Sequence, residues 1–202
     1  TVIDYGVGNI GSVANTLVRL GQPYQISADP AVIRSADVLL LPGVGAAGVG
    51  MQNLRDRELD TTIRLAIRNG KPFLGFCLGM QLLFDYSEEA NTICLGVLKG
   101  SVKKFRLERK VPQIGWNQVI PVKTNPNSER LFAGIPEGSA FYFVNSYYPL
   151  PTDSSVVAAT TEYGEQFASV VVTKNIVATQ FHPEKSGEVG LRLLQNIIKE
   201  YV

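Results

Sequence analysis

Histidine and cysteine are scarce in this sequence, which has one histidine and two cysteines among its 202 residues. Two cysteines are too few for a disulfide framework, and with a single histidine they match no familiar spacing of zinc ligands. We therefore expect no metal and no other cofactor. The scarcity also leaves few candidates for any chemistry that needs a thiol and an imidazole.

Charge of either sign is not in excess, because 19 Lys and Arg residues stand against 18 Asp and Glu residues, for a formal net charge of +1. The densest basic stretch, Lys103-Lys104-Phe105-Arg106, is short, and we interpret it as a solvated strand edge or loop, so no nucleic-acid partner is expected. No apolar run is long enough to span a bilayer, and no secretory signal pattern opens the sequence. We expect a cytoplasmic protein without a membrane partner.

Apolar residues are plentiful, at 45% of the chain, which is typical of a folded core. In the first half, strand-like segments alternate with helical spacing, and one longer helical pattern carries Leu54, Leu59 and Ile63 on one face and ends at Asn69-Gly70. Such alternation predicts an open, mostly parallel sheet with helices on both faces. The strand-like segments of this half are residues 1–4, 24–27, 36–41 and 72–76.

The second half is dominated by strand-like segments separated by Gly, Pro and Asn, which indicates hairpins and added antiparallel strands. A last helix is predicted over residues 187–201. Without a linker, repeat or low-complexity tract, residues 1–202 are interpreted as one domain. The segments are residues 97–106, 114–122, 140–148, 156–163, 167–173 and 176–181.

Cys77 lies in Gly75-Phe76-Cys77-Leu78-Gly79, where a buried strand pattern runs into a helical one. Glycines on both sides of a cysteine are typical of a nucleophile elbow, a strand-to-helix turn too tight for neighbouring side chains. The sulfur would then project at the carboxyl ends of the strands, and the helix N-terminus would favour its thiolate form. The alternative is a buried apolar cysteine, which is the interpretation we give Cys94.

His182, the only histidine, is the candidate base for that thiol. It lies in Gln180-Phe181-His182-Pro183-Glu184, at the end of a strand pattern. Pro183 favours an extended conformation at His182, and two residues apart in an extended segment point to the same side, so Glu184 could fix the imidazole tautomer. The alternative is a lone histidine that caps the last helix or is exposed on a loop.

These two motifs, in this order and with Pro42-Gly43-Val44-Gly45 upstream, resemble those of the class I, triad-type glutamine amidotransferases. Within that family, Gln113-Ile114-Gly115-Trp116-Asn117 and Phe143-Val144-Asn145-Ser146-Tyr147 resemble the branch that serves imidazole glycerol phosphate synthesis in histidine biosynthesis. The resemblance covers nearly the whole chain. It implies a flavodoxin-like core, a glutaminase that uses glutamine, and a (β/α)8-barrel cyclase partner that receives ammonia through a channel and activates the glutaminase.

The resemblance also assigns roles to residues by motif. Cys77, His182 and Glu184 would be catalytic. Gly43, Val44 and Leu78 would form or shape the oxyanion hole, with a glycine-flanked peptide at Val44 that could flip. Residues expected to hold glutamine are Gly45, Gln81, Glu89, Ser146 and Tyr147. Residues expected to contact the cyclase are Asn9, Ser12, Trp116, Asn117 and Lys185.

Several assignments stay open on sequence alone. Glu88 is as good a candidate as Glu89 for the substrate ammonium, Trp116 could be an ordinary core residue, and Lys185 could be a solvated charge. Asn145 stands where many relatives have histidine, so any polar contact of that position near the glutamine site is in doubt. The competing functions are a cysteine peptidase on the same fold, an amidotransferase subunit of another pathway, and a scaffold without catalysis.

Overall fold

The computed structural model describes residues 1–106 and 108–201. Strand and helix alternate through the first half of the chain and strands dominate the second, in agreement with the sequence pattern. The helices are α1 (Ile10–Arg19), α2 (Pro30–Ser35), α3 (Ala47–Asp56), α4 (Leu59–Arg68), α5 (Leu78–Gln81), α6 (Pro126–Leu131) and α7 (Gly187–Tyr201).

The strands are short, and the longest of them lie in the second half. They are β1 (Val2–Ile3), β2 (Ile26–Ser27), β3 (Leu39–Leu41), β4 (Phe73–Phe76), β5 (Tyr86–Ser87), β6 (Thr92–Ile93), β7 (Gly100–Lys104), β8 (Gln113–Gln118), β9 (Ile120–Pro121), β10 (Ala140–Asn145), β11 (Tyr147–Pro151), β12 (Val157–Glu162), β13 (Gln166–Val172) and β14 (Ile176–Thr179).

Eight of these strands form the central sheet, in the order β2-β1-β3-β4-β14-β13-β12-β9. Pairing is parallel from β2 to β14 and antiparallel from β14 to β9. The predicted mostly parallel sheet with antiparallel additions is therefore confirmed. A β10–β8 ribbon and a smaller sheet of order β11-β7-β5-β6 complete the strand structure.

Helices cover both faces of the sheet. Side chains alternate along each buried strand, so both faces carry apolar side chains that need a cover. On β3, Leu39 and Leu41 pack in one apolar cluster with residues of α2, α3 and α4. Leu40, between them, packs in a second cluster with residues of α1, α6 and α7. The β3 strand therefore contributes side chains to two cores, which explains why its sequence is an unbroken apolar run.

The prediction of a single long helix that ends at Asn69-Gly70 is wrong, because the structure has two helices there, α3 and α4. Glu58 between them has a left-handed φ of 57°. Leu54 and Leu59 are both fully buried. In one continuous helix residues five apart would point roughly 140° away from each other, so the break lets both side chains reach the core.

Among the described residues, no helix combines the length and the apolar character that crossing a membrane requires. The basic stretch at the end of β7 is partly neutralised. Glu88 lies 3.1 Å from Lys103 Nζ and 3.4 Å from an Arg106 nitrogen.

Candidate active site

The Cys77 turn joins β4 to α5 and has the strained backbone of an elbow. Cys77 has φ 52° and ψ −108°, a conformation that a non-glycine residue rarely adopts. A Cβ on Gly75 would come within 2.9 Å of the Gly79 carbonyl oxygen, and one on Gly79 would overlap the Leu41 carbonyl oxygen. Both glycines are needed because backbone from the turn and from β3 fills the space beside the cysteine.

His182 is brought to Cys77 by the parallel pairing of β4 and β14. Phe76 at the end of β4 is in register with Thr179 at the end of β14, and the Cys77 N–H donates to the Thr179 oxygen at 2.7 Å. The chain continues from there to His182, whose N–H donates to the oxygen of Tyr142 at 2.9 Å. Neighbouring parallel strands end at the same edge of a sheet, so two residues distant in sequence meet there.

Glu184 holds one side of the imidazole, at 2.8 Å between its Oε1 and His182 Nδ1. Both side chains are 2% exposed. The geometry differs from the expected extended segment, because Glu184 lies in a 3-10 turn, Pro183–Lys185, that begins after His182. The Ser186 hydroxyl fixes this turn by donating to the His182 oxygen at 2.6 Å and accepting from the Tyr142 N–H at 3.0 Å.

The electrostatics favour a protonated imidazole beside the sulfur. Burial lowers the pKa of His182, but its interactions with Cys77 and with Glu184 outweigh burial and raise the pKa above the usual value. His182 Nε2 is buried and has no partner within hydrogen-bonding distance among the described residues, so it is the imidazole nitrogen left to interact with Cys77. An imidazolium next to a thiolate is the charge arrangement of an activated cysteine nucleophile.

A cavity of about 220 Å³ opens at Cys77. It gathers nine residues singled out from the sequence, including Asn145, together with Val144 and Pro112, which sequence reasoning had not selected. Most are contributed by the 42–45 loop, the elbow, and residues 144–147, where β10 ends and β11 begins. The lining residues are Val44, Gly45, Cys77, Leu78, Gln81, Glu89, Pro112, Val144, Asn145, Ser146 and Tyr147.

Glu89 and Glu88, equal candidates on sequence, have different surroundings. Glu89 lines the cavity and accepts a hydrogen bond from the Ala47 N–H at 2.7 Å. Glu88 instead accepts from the Lys104 N–H at 2.9 Å and pairs with the two cations beside it. Burial and the negative charges of Glu89 and Glu88 raise the pKa of Tyr147, so the cavity has an acidic end.

Gln81 is buried and its amide nitrogen is fully engaged, donating to the Tyr147 oxygen at 3.0 Å and to Gln180 Oε1 at 2.9 Å. The Gln81 oxygen is left for a ligand. Gln180 belongs to the sequence motif around His182, but the sequence alone assigns it no role. Its contact with the site arises from the strand register and has no local sequence signal other than its place two residues before His182.

The 42–45 loop does not leave the predicted oxyanion hole open. The Leu78 N–H, one expected donor, points at the Gly43 carbonyl oxygen at 3.4 Å. Tyr5 holds the same loop by donating its hydroxyl hydrogen to the Pro42 oxygen at 2.9 Å. Gly45 has φ 117°, a value suited to glycine. In this conformation the Leu78 N–H is therefore directed at a carbonyl of the loop.

The residues expected to face a partner lie at three places. Trp116, on β8, is 59% exposed, which excludes the core-packing alternative, and it stacks edge-on with Tyr142 at 6.0 Å between ring centroids. Asn117 Nδ2 donates to the Glu162 oxygen at 2.8 Å. Asn9 caps α1 by accepting from the Ser12 N–H at 3.3 Å. Lys185 is half-buried in the turn after His182.

Comparison with known proteins agrees with this arrangement. The family model for glutamine amidotransferase class-I matches residues 1–200. A relative from Dehalococcoides mccartyi (strain ATCC BAA-2266 / KCTC 15142 / 195), named imidazole glycerol phosphate synthase subunit HisH, is 48% identical over 199 residues, which cover 98% of this chain and 95% of the relative. The subunit of the same name from Aquifex aeolicus (strain VF5) is 49% identical over 96% of this chain and 93% of its own.

Solved structures are similar in fold. A glutamine amidotransferase crystal structure has a TM-score of 0.74 at 18% identity and covers 99% of this chain and 98% of its own. PurLQS from Thermotoga maritima gives 0.73 at 16% identity, covering 98% and 96%. The chain belongs to the class I glutamine amidotransferase family and, within it, to the HisH subunits of imidazole glycerol phosphate synthase.

Proposed function

We propose that residues 1–202 form one glutaminase domain that hydrolyses glutamine to glutamate and ammonia through Cys77, His182 and Glu184. The ammonia passes to a (β/α)8-barrel cyclase subunit, which makes imidazole glycerol phosphate and AICAR in histidine biosynthesis. The observation that carries the proposal is the buried His182–Glu184 pair, which interacts with an elbow cysteine that itself lines a small cavity. The relatives named above are subunits of the synthase that makes this product.

The cavity suits glutamine in size and charge. At about 220 Å³ it is below the roughly 300–1,000 Å³ of sites for drug-sized ligands. Glu89 at the acidic end is the partner for the substrate ammonium, and the Gln81 oxygen accepts a further hydrogen bond. Gly45, Ser146 and Tyr147 shape the wall between them. The carboxamide is then directed at Cys77, which also lines the cavity.

The reaction proceeds in two halves. The Cys77 thiolate attacks the carboxamide carbon, and the tetrahedral intermediate breaks its C–N bond as His182 donates a proton to the departing ammonia. His182, now neutral, takes a proton from water, which attacks the glutamyl thioester. The C–S bond breaks, glutamate leaves, and the thiolate and imidazolium are restored. Glu184 keeps the imidazole oriented and stabilises its charge in both halves.

The 42–45 loop is the switch in this proposal. Because the Gly43 carbonyl accepts from the Leu78 N–H, the isolated chain rests with its oxyanion hole filled. Reorientation of the Gly43–Val44 peptide removes that carbonyl and supplies the Val44 N–H as a second donor. Removal of one oxyanion donor costs about 10²–10³-fold in kcat, so a partner that turns the loop would raise turnover by about that factor.

The experiment is glutamate release from glutamine, measured for the isolated chain and again with a barrel cyclase and its nucleotide-derived substrate. We expect low activity alone and about a 10²–10³-fold increase in the complex. Trp116→Ala should weaken association with the cyclase by about 2 kcal/mol or more, as an exposed aromatic anchor does, and remove most activation at limiting cyclase. Leu150→Ala, at a residue 52% exposed on another sheet, is the control. Full activity without a partner would contradict the switch, and no activity in the complex would contradict the glutaminase.

Glu184→Gln tests the third member of the triad. We expect kcat to fall by about 10–100-fold, the loss seen when the carboxylate that orients a metal-binding histidine is removed. Because the Glu184 charge raises the pKa of His182, its loss should lower that pKa and move the alkaline limb of kcat against pH to lower pH. Glu188→Gln, at a side chain 89% exposed, is the control and should leave the profile unchanged. An unshifted limb in the triad variant would assign Glu184 a packing role only.

A further inference from the structure

We propose that Gln180 is a positioning residue for the nucleophile: its side-chain amide donates a hydrogen bond to Cys77 Sγ, which holds the sulfur in place and stabilises its negatively charged form. The consequence for turnover rests on the proposed function, but the contact and its effect on the sulfur do not. Gln180 Nε2 lies 3.6 Å from Cys77 Sγ, and the Gln180 side chain is fully buried.

The backbone on either side of Gln180 in sequence is held close to the Cys77 sulfur. Thr179, which precedes it, accepts the Cys77 N–H through the β4–β14 pairing, and His182 follows two residues later. The Gln180 N–H donates to the Ser169 oxygen at 2.9 Å, which ties it to β13. The Gln180 side chain therefore extends from a fixed backbone position. It approaches the sulfur from a different direction than the His182 imidazole does.

The direction of the Gln180 amide is set by its neighbours. Gln180 Oε1 accepts from Gln81 Nε2 at 2.9 Å, and the same Gln81 nitrogen donates to the Tyr147 oxygen at 3.0 Å. Reversing Gln180 would set two NH₂ groups against each other, and reversing Gln81 as well would set its oxygen against the Tyr147 carbonyl. The nitrogen of Gln180, and not its oxygen, must therefore face Cys77.

The anchor of this chain of amides is itself fixed. The Tyr147 oxygen also accepts from Asn145 Nδ2 at 3.0 Å. Asn145 is 5% exposed and lines the cavity, and its Oδ1 has no partner among the described residues. One buried series of hydrogen bonds thus runs from the cavity wall at Asn145, through the Tyr147 carbonyl, Gln81 and Gln180, to the sulfur.

An amide donor at this place acts differently on the two forms of the sulfur. Hydrogen bonds to charged groups are stronger than those between neutral groups, and the difference grows where water is excluded. The Gln180 N–H therefore favours the thiolate over the thiol and keeps it aimed into the cavity. His182 and Tyr5 are titratable groups that interact electrostatically with Cys77, and neither is changed in the test below.

The test is the rate at which iodoacetamide alkylates Cys77, measured from pH 5 to 9 without glutamine and followed by mass spectrometry of the Cys77 peptide. Gln180→Met keeps the length and burial but removes the donor. We expect the midpoint of the rate against pH to move up by about one unit and alkylation at pH values below both midpoints to fall by about tenfold, as loss of one hydrogen bond to a charged group predicts. Gln180→Glu should move the midpoint further up, because a carboxylate would face the sulfur.

The matched control is Gln113→Met, the same change at a glutamine that is 3% exposed and whose amide has no partner among the described residues. It should alkylate as the unmodified chain does. Cys94 does not interfere, because burial raises its pKa to about 12 and the peptide readout separates the two thiols. A midpoint that stays in place in both Gln180 variants, with unfolding temperatures showing that they are folded, would overturn the proposal. The result stands whether or not glutamine is turned over, so it is separate from a failure of the glutaminase.

Discussion

Replacing Cys77 by alanine should abolish ammonia release from glutamine, with a loss of at least about 10⁴-fold in kcat, as for other triads that lose their nucleophile. The reason is that no other side chain at the cavity can form the thioester, since Cys94 packs in the apolar core apart from the cavity lining. The measurement is glutamate formed by the complex with the cyclase at saturating glutamine. Association with the cyclase should be unchanged, because Cys77 is buried and its truncation leaves the protein surface as it was.

Cys94→Ala is the control for that experiment. Cys94 is 3% exposed, so its replacement by alanine removes from the interior a volume similar to that removed by Cys77→Ala. We expect somewhat lower stability and full turnover per folded molecule. Residual turnover in Cys77→Ala, with the control normal, would require another nucleophile and would sink the assignment of Cys77.

Gly79→Ala should have the largest effect on stability, lowering the free energy of unfolding by about 3 kcal/mol or more. An added Cβ at Gly79 would overlap the carbonyl oxygen of Leu41, which is backbone of β3 and has no alternative rotamer. Either the elbow or β3 must shift, and the elbow also carries Cys77. Urea unfolding followed by circular dichroism measures the change.

Gly11→Ala is the matched control for the glycine change. Gly11 lies in α1, and an added Cβ there would meet nothing within 4 Å. Because alanine restricts the unfolded chain more than glycine, we expect no loss and a gain of up to about 1 kcal/mol. Equal stabilities for the two variants would mean that the elbow can relax, contrary to the close approach of β3.

The central sheet was predictable because its signals are local. Buried strands such as β3 are unbroken apolar runs bounded by Gly, Pro or Asn, and the last helix matched its predicted bounds, Gly187–Tyr201. The division between α3 and α4 was not predictable from periodicity. It depends on Glu58 adopting a left-handed conformation so that two leucines face one core, which is a tertiary demand without a local signal.

At the candidate site, the sequence selected most of the residues that line the cavity at Cys77, but it did not predict their surroundings. The glycines around Cys77 required an elbow whatever the rest of the fold, so that part followed from local geometry. The choice between Glu88 and Glu89 did not follow from local geometry. It depends on Lys103 and Arg106, which lie in and just after β7 and pair with Glu88. The contact of Gln180 with the sulfur likewise depends on strand register.

The Gly43 carbonyl on the Leu78 N–H has a consequence for how much of this subunit a cell can tolerate. Under the proposed switch, copies made in excess of the cyclase would hold their oxyanion site filled and would not drain the glutamine pool. Expression of the two subunits would then need no strict balance. The orientation of a single peptide group beside the elbow would thus prevent glutamine from being hydrolysed when no cyclase is there to use the ammonia.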